Sequence, residues 1–297
     1  MIVDSLYQII RGWVPKPTYK QVTAPAYDGL FSGIKREKLL EIYRLMLTSR
    51  LVDEYELTIL KQGKSWFTIA GAGTEAVCVC AGILLRKTDP IFGHYRDRGT
   101  VLARGLTPYE MFLEAVASRL DPNSGGVQMP SHFSCKRLAI YRTTSPTGSQ
   151  ALPAEGCARA ISRTKEVIAN GTFPTDSVVY CGLGDAMVSQ GEVYEAIKNA
   201  TLYSSPILFH IMNNGFGISV PVYEQHPGAN PATLFKSYPG LTVLEIDGTD
   251  VAECYRTFSQ AIENARRRKP QVIVSNVVRL MSHSSADDQK KYRPQHE

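Results

Sequence analysis

The sequence predicts a doubly wound α/β fold with a parallel sheet, and three observations predict it. Short apolar runs at 177–181, 206–212, 241–246 and 271–278 alternate with segments of helical patterning. Two of those runs end in polar, glycine-bearing stretches, Gly182-Leu183-Gly184-Asp185-Ala186 and Asn213-Asn214-Gly215-Phe216-Gly217. Open parallel sheets hold their ligands beyond such strand ends. Composition suits a soluble globular chain, with 43% apolar and 21% charged residues among 297.

Residues 1–35 carry Pro15, Pro17, Pro25, Gly29 and Gly33 and read as an irregular arm, so the α/β domain is expected over 36–297. Between 36 and 62, Leu39, Leu40, Tyr43, Leu45, Met46 and Leu51 recur at helix spacing. That helix is long enough to contain a break, and Gly63 stops it. The nearly uncharged stretch 75–85 reads as a buried helix. Thr107-Pro108-Tyr109-Glu110 is a capping box with Pro at the first helical position, opening a helix of about ten residues. The stretch 121–147 is a loop of a length usually reserved for function. Small residues at 148–161 predict a closely packed helix.

The regular half follows. A strand at 177–181 precedes a helix that starts at a second capping box, Ser189 to Glu192, and runs to about Tyr203. Strands at 206–212 and 241–246 come next. A third capping box, Asp250 to Glu253, opens a helix over 250–268, and a fourth strand covers 271–278. The polar tail, 282–297, ends without a closing element, which fits truncation or continuation into another domain.

Composition also excludes. No apolar run approaches the roughly 20 residues that cross a bilayer. The start, with Asp4 and no small-residue cleavage site, is a poor signal peptide. The six cysteines include no CxxC pair and read as reduced, buried thiols, so a cytoplasmic setting is expected. The net charge is +5, yet the densest basic run, Arg266 to Lys269, closes a helix where the dipole favours cations. No basic stripe with interleaved aromatics points to nucleic acid.

The two strand ends lie side by side in a strand–helix–strand unit. Asp185 offers a carboxylate and Asn214 an amide oxygen, both hard donors suited to Mg²⁺, which fills its other positions with water and phosphate. The glycines admit a close backbone approach, and the helix after Ser189 adds amides that suit an anion. A Mg²⁺–diphosphate site results. Plain turns that end strands fit the same residues equally well.

A resemblance separates these two readings. The run from Gly184 through Ile197, followed by Met212-Asn213-Asn214-Gly215-Phe216-Gly217, resembles the thiamine-diphosphate fingerprint. Ala186 stands where that family often has Gly. Three further segments are similar to the alpha subunits of 2-oxo acid dehydrogenase complexes. They are Gly93-His94-Tyr95-Arg96-Asp97-Arg98-Gly99, Ser145-Pro146-Thr147, and His283-Ser284-Ser285-Ala286-Asp287-Asp288 with Tyr292-Arg293. The match spans about 36–293 and implies a thiamine-diphosphate-binding fold.

The resemblance implies roles. Asp185 and Asn214 by side chain and Phe216 by carbonyl would hold Mg²⁺. Arg96 would meet the diphosphate of the cofactor, thiamine diphosphate, with Tyr95, Gly184, Ala186 and Met187 beside it. Ser145 and Thr147 would meet the aminopyrimidine through backbone groups. His283 is the family's active-site histidine, and Ser284 matches a position modified by kinases in some relatives. Thr144, Pro146, Ser149 and Gln150 resemble a monovalent-cation (K⁺) site. His132 lies either near the substrate or in a structural role.

The resemblance also implies what lies outside this chain. A beta subunit or domain would supply the activating glutamate, with two alpha and two beta chains, and the acyl product would pass to a lipoyl domain. The segment 65–70 lacks the histidine of pyruvate-type relatives. With Gln128-Met129-Pro130, this favours branched-chain 2-oxo acids such as 3-methyl-2-oxobutanoate. Pyruvate or acetoin dehydrogenase alpha subunits are the alternatives, because pockets separate such substrates by only about 1–3 kcal/mol per methylene. A degenerate scaffold subunit is a further alternative, with Ala186 as its support.

Overall fold

A computed structural model describes residues 31, 33–167 and 173–294. The chain divides after Ile34, and every element below belongs to the unit Lys35–Glu297. Most of the expected N-terminal arm lies outside the described residues.

In chain order the elements are α1 (Arg36–Lys61), α2 (Glu75–Leu84), β1 (Ile91–Phe92), α3 (Arg98–Arg104), α4 (Pro108–Ala115), β2 (Ile140–Tyr141) and α5 (Ala151–Val167). Then come β3 (Val179–Gly184), α6 (Gly191–Tyr203), β4 (Ile207–Asn213), the short antiparallel pair β5 (Phe216–Gly217) and β6 (Val220–Pro221), and α7 (Val222–Gln225). The chain continues through β7 (Thr242–Asp247), α8 (Val251–Arg266) and β8 (Gln271–Asn276). Six strands form one sheet in the order β2-β1-β3-β4-β8-β7, every pairing parallel.

Side chains alternate between the two sheet faces, as strand geometry requires. Val179, Cys181 and Leu183 of β3 join one apolar cluster with residues of α5 and α6. Tyr180 of β3, with Leu208 and Met212 of β4, joins the other, with residues of α2 and α8. Both faces are therefore covered, which explains why the strands read as unbroken apolar runs.

Several local expectations need correction. The helix at 36–62 is one unbroken helix, but its buried face is Ile42, Ser49, Val52, Asp53, Glu56 and Ile59. Leu40, Tyr43 and Leu51 of the expected stripe are exposed. The reason is Arg98, which draws Asp53 and Glu56 inward. The sheet has two strands more than expected, since β1 and β2 span two residues each and leave no periodic signal. The Thr107–Glu110 capping box forms with both reciprocal bonds. The box at Ser189 does not, because Ser189 ends a 3₁₀ turn (Asp185–Ser189) and the helix starts after Gln190 without a side-chain cap. At Asp250 half of the box forms: Asp250 caps the Ala252 and Glu253 amides, while Glu253 accepts from Asp247 N instead.

Candidate active site

The carboxyl ends of β3 and β4 sit beside each other in the sheet. After β3 the chain tightens into the 3₁₀ turn, which places Asp185, Ala186 and Met187 at the sheet's edge. His226 Nε2 lies 2.9 Å from the Asp185 carbonyl oxygen and fastens that turn from behind. After β4 comes Asn214, whose amide nitrogen is 3.4 Å from Asp185 Oδ1. That bond is long and weak. Asp185 Oδ2 and Asn214 Oδ1 are buried and accept no hydrogen bond. Buried acceptors almost always have a donor, so two orphans on residues this close could hold a cation. Burial pushes the Asp185 carboxyl up to about 6, against the Ala186 amide and the guanidinium groups of Arg96 and Arg279.

These atoms edge a cavity of about 440 Å³. Every residue singled out in the sequence for Mg²⁺ or thiamine diphosphate contact lines it: Tyr95, Arg96, Ser145, Thr147, Gly184, Asp185, Ala186, Met187, Asn214, Phe216 and His283; the four residues of the K⁺ expectation, Thr144, Pro146, Ser149 and Gln150, do not. They come from five separate stretches of chain.

Arg96 is the hinge of the far wall. It is 3% exposed, and burial lowers its pKa. One guanidinium nitrogen donates to the Ala70 carbonyl at 2.7 Å. The other donates to the His283 carbonyl at 2.8 Å and meets His283 Nδ1 at 3.0 Å. Arginine only donates, so His283 Nδ1 must accept and the ring proton sits on Nε2. Burial, then Arg96 and Arg279, push the His283 pKa down to about 4 and keep the ring neutral. Asp287 holds the loop by accepting from His283 N at 2.8 Å and from the Tyr292 hydroxyl at 2.5 Å.

The 121–147 loop closes the cavity from a third side. His132 Nδ1 faces the Pro130 carbonyl at 3.0 Å and must donate to it. Its Nε2 therefore accepts from the Ser145 hydroxyl, 2.6 Å away. Thr144 and Ser149 share a hydrogen bond at 2.6 Å, and Ser149 donates to the Pro146 carbonyl at 2.9 Å. Gln150 turns away to the Gly182 carbonyl, leaving its side-chain oxygen buried without a partner. Ser284 lies outside the main cavity, in a neighbouring one with Thr68, Ser282, Ser285 and Asp287.

Phe67, Ile69 and Ile218 also line the cavity and had no role assigned from the sequence; His94, Met129 and Gly217 line it too and were quoted only as parts of motifs, while His132 was left open. Apolar residues in predicted loops were the available signal, since such side chains need something to cover. Gly217 also explains Ala186: a Cβ on Gly217 would stand 2.6 Å from the Ala186 methyl. The bulk added at one position is absent at the other.

A set of oxygen donors with one carboxylate suits Mg²⁺ and does not suit zinc. Among the described residues no three His, Cys, Asp or Glu side chains gather into a metal cluster. A cation here would complete its shell from Asn214, the Phe216 carbonyl and a phosphate-bearing ligand.

The profile of the family described as dehydrogenase E1 component matches residues 43–297. The 2-oxoisovalerate dehydrogenase subunit alpha of Bacillus subtilis is 34% identical over 269 residues, covering 89% of this chain and 78% of that protein. The 3-methyl-2-oxobutanoate dehydrogenase subunit alpha of Mycobacterium tuberculosis is 33% identical over 265 residues, covering 89% and 67%. The human mitochondrial 2-oxoisovalerate dehydrogenase subunit alpha is 30% identical over 278 residues, and the chain spans only 58% of its length. Among solved structures, a transketolase from Campylobacter jejuni matches at a TM-score of 0.56 and 20% identity, covering 80% of this chain and 38% of that one. That similarity concerns the fold alone.

Proposed function

Because the chain belongs to the dehydrogenase E1 component family, we propose that it is the alpha subunit of a thiamine-diphosphate-dependent 2-oxo acid dehydrogenase. Its substrates are branched-chain acids of the 3-methyl-2-oxobutanoate class, and it passes the acyl group to a lipoyl domain. The observation that carries this reading is the pair of orphaned acceptors, Asp185 Oδ2 and Asn214 Oδ1, in one cavity with Arg96 and His283.

The residues present fit the cofactor. Asp185, Asn214 and the Phe216 carbonyl would hold Mg²⁺, and the Arg96 guanidinium would meet the diphosphate. When bound, thiamine diphosphate supplies the nucleophilic carbon and the electron sink for loss of CO₂. The chain's own part is placement and exclusion. Arg96 locks the His283 loop against Ala70, so the imidazole stands fixed and neutral with its proton on Nε2, ready to donate a hydrogen bond. Phe67, Ile69, Met129 and Ile218 give the cavity an apolar wall that suits a branched side chain and keeps water out. Thr144, Pro146, Ser149 and Gln150 are the candidate K⁺ ligands, Gln150 through its unpartnered side-chain oxygen.

Among the described residues Asp185 is the only carboxylate lining the cavity. With that carboxylate committed to the metal, the one needed to activate the cofactor comes from a beta subunit or beta domain. Exposed Trp66, Ile218, Val220 and Leu280 give this part of the molecule the apolar surface a subunit interface uses. Among the described residues no helix is long and apolar enough to cross a membrane. All six cysteines are free, which suits a reducing compartment such as the cytoplasm.

Calorimetric titration of thiamine diphosphate into the alpha–beta complex, with and without Mg²⁺, tests the cofactor site. Binding is expected to need Mg²⁺ and to weaken at least about tenfold in Asp185→Asn. Binding indifferent to both the ion and the substitution would remove the proposal's foundation.

A further inference from the structure

Beneath the cavity the sheet carries polar side chains that the reading above does not use. Tyr180 of β3, His210 of β4 and Ser275 of β8 lie on three adjacent strands, each 0% exposed. They face the apolar layer of α2 and α8, and the Phe258 ring stands edge-on to His210 at 4.9 Å. Polar groups in such a place are costly unless every one is paired.

They are paired in a single direction. Asp97 ends the turn that carries His94, Tyr95 and Arg96, and it is also fully buried. Its Oδ2 accepts from the His94 amide at 2.7 Å. Its Oδ1 accepts from the Tyr180 hydroxyl at 2.7 Å, the Thr100 hydroxyl at 3.1 Å and the Cys78 thiol at 3.6 Å. Tyr180 spends its one proton on that carboxylate, so its oxygen must accept from His210 Nδ1, 2.8 Å away. His210 Nε2 then accepts from the Ser275 hydroxyl at 3.0 Å. Donation runs Ser275 to His210 to Tyr180 to Asp97 without a gap. Burial keeps His210 neutral, pushing its pKa down to about 3, which the relay requires.

The backbone makes room for this arrangement. A Cβ on Gly182 would fall 1.9 Å from Asp97 Oδ2, so the β3 glycine exists for the carboxylate to lie against the strand. Asp97 has only neutral donors around it, and the strongest side-chain donor is Tyr180.

We propose that the relay Ser275–His210–Tyr180 is a positioning device: it orients Asp97, and through the His94 amide it fixes the turn that presents Arg96 to the cavity. It deepens the proposed cofactor reading by giving Arg96 an anchor on the sheet. None of its members touches the cavity except through that turn. Tyr180→Phe removes the donor to Asp97 and leaves His210 Nδ1 without an acceptor. Tyr180→Phe/His210→Leu removes the Tyr180–His210 pair as a whole and leaves the small Ser275 hydroxyl as the one polar member of the relay in the layer, but Asp97 still lacks its donor.

The test uses the alpha–beta complex in three forms: wild type, Tyr180→Phe and the double variant. It reads amide hydrogen exchange over 91–97 without ligand, the thermal midpoint, and the affinity for thiamine diphosphate with Mg²⁺. A positioning role predicts about tenfold faster exchange at His94 and about tenfold weaker cofactor binding in both variants, with the midpoint recovering in the double variant. Wild-type exchange in Tyr180→Phe, or recovery of exchange and affinity together with the midpoint, overturns the proposal and leaves the relay a matter of core stability. Failure of the wild type to bind thiamine diphosphate would overturn the cofactor reading instead, and the exchange measurements would still decide the relay.

Discussion

Replacing Arg98 by Met offers a sharp test of how this core is held. Arg98 is 1% exposed, with Glu56 Oε2 at 2.6 Å from Nη2 and Asp53 Oδ1 at 2.8 Å from Nε. The Asp53 contact is an ion pair without a well-aligned hydrogen bond, whereas the Glu56 contact is bidentate. Met fills most of the volume but strands two buried carboxylates. Breaking one buried pair by removing its partner costs about 3–5 kcal/mol, so the loss is a large share of a typical domain's stability. The pH dependence gives the refutable part. Burial already holds the Asp53 pKa up at about 6, and Arg98 is what pulls it down. Without Arg98 the folded-state pKa climbs further above its unfolded value, so the folded variant binds more protons and loses stability as pH rises. Urea unfolding at pH 5.5 and pH 8 should therefore show the full loss of about 3–5 kcal/mol at pH 8 and a clearly smaller one at pH 5.5. Equal losses at the two pH values would refute the assignment of the cost to stranded charge.

Three further outcomes follow from the same geometry. Gly217→Ala should weaken Mg²⁺-dependent thiamine diphosphate binding by about tenfold, since its methyl meets Ala186 at 2.6 Å. Adding Ala186→Gly should recover most of that affinity, as calorimetry would read. His283 should stay neutral, its ring proton shift unchanged from pH 8 to 5.5 by NMR. Its folded pKa, about 4, lies below the ordinary 6.5, so its contribution is complete above 6.5 and is lost as pH falls toward 4. His283→Gln should accordingly flatten that part of the acid limb of stability. Burial raises the Glu114 pKa from 4.5 to about 8, so it costs stability as pH rises across that window. Glu114→Gln keeps the acceptor for the His132 amide and should lose less thermal midpoint than wild type between pH 6 and 9.

The sequence carried the site better than the frame around it. Asp185 and Asn214 were legible because hard oxygen donors stand at two expected strand ends, whereas Arg96 and His283 came only from the resemblance of the motifs that flank them. All four meet at one cavity. Phe67, Ile69 and Ile218 were not legible, since an apolar residue in a loop announces no partner until the fold supplies one. The buried face of α1 misled for a related reason. Leu40, Tyr43 and Leu51 made a stripe, but the buried Arg98 turned Asp53 and Glu56 inward, and one charge forty residues away decided which face counts. The strands β1 and β2 are too short to show any period, and only their neighbours in the sheet define them. Gly182 looked like part of a turn, whereas its missing side chain accommodates Asp97.

The most direct test of the central claim is turnover by the reconstituted alpha–beta complex with thiamine diphosphate and Mg²⁺, followed by reduction of an artificial electron acceptor. Pyruvate and 3-methyl-2-oxobutanoate are compared side by side, with Asp185→Asn as control. Turnover is expected to require both subunits, to favour 3-methyl-2-oxobutanoate and to disappear in Asp185→Asn. A preference for pyruvate would contradict the substrate assignment, and turnover that survives in Asp185→Asn would contradict the site itself.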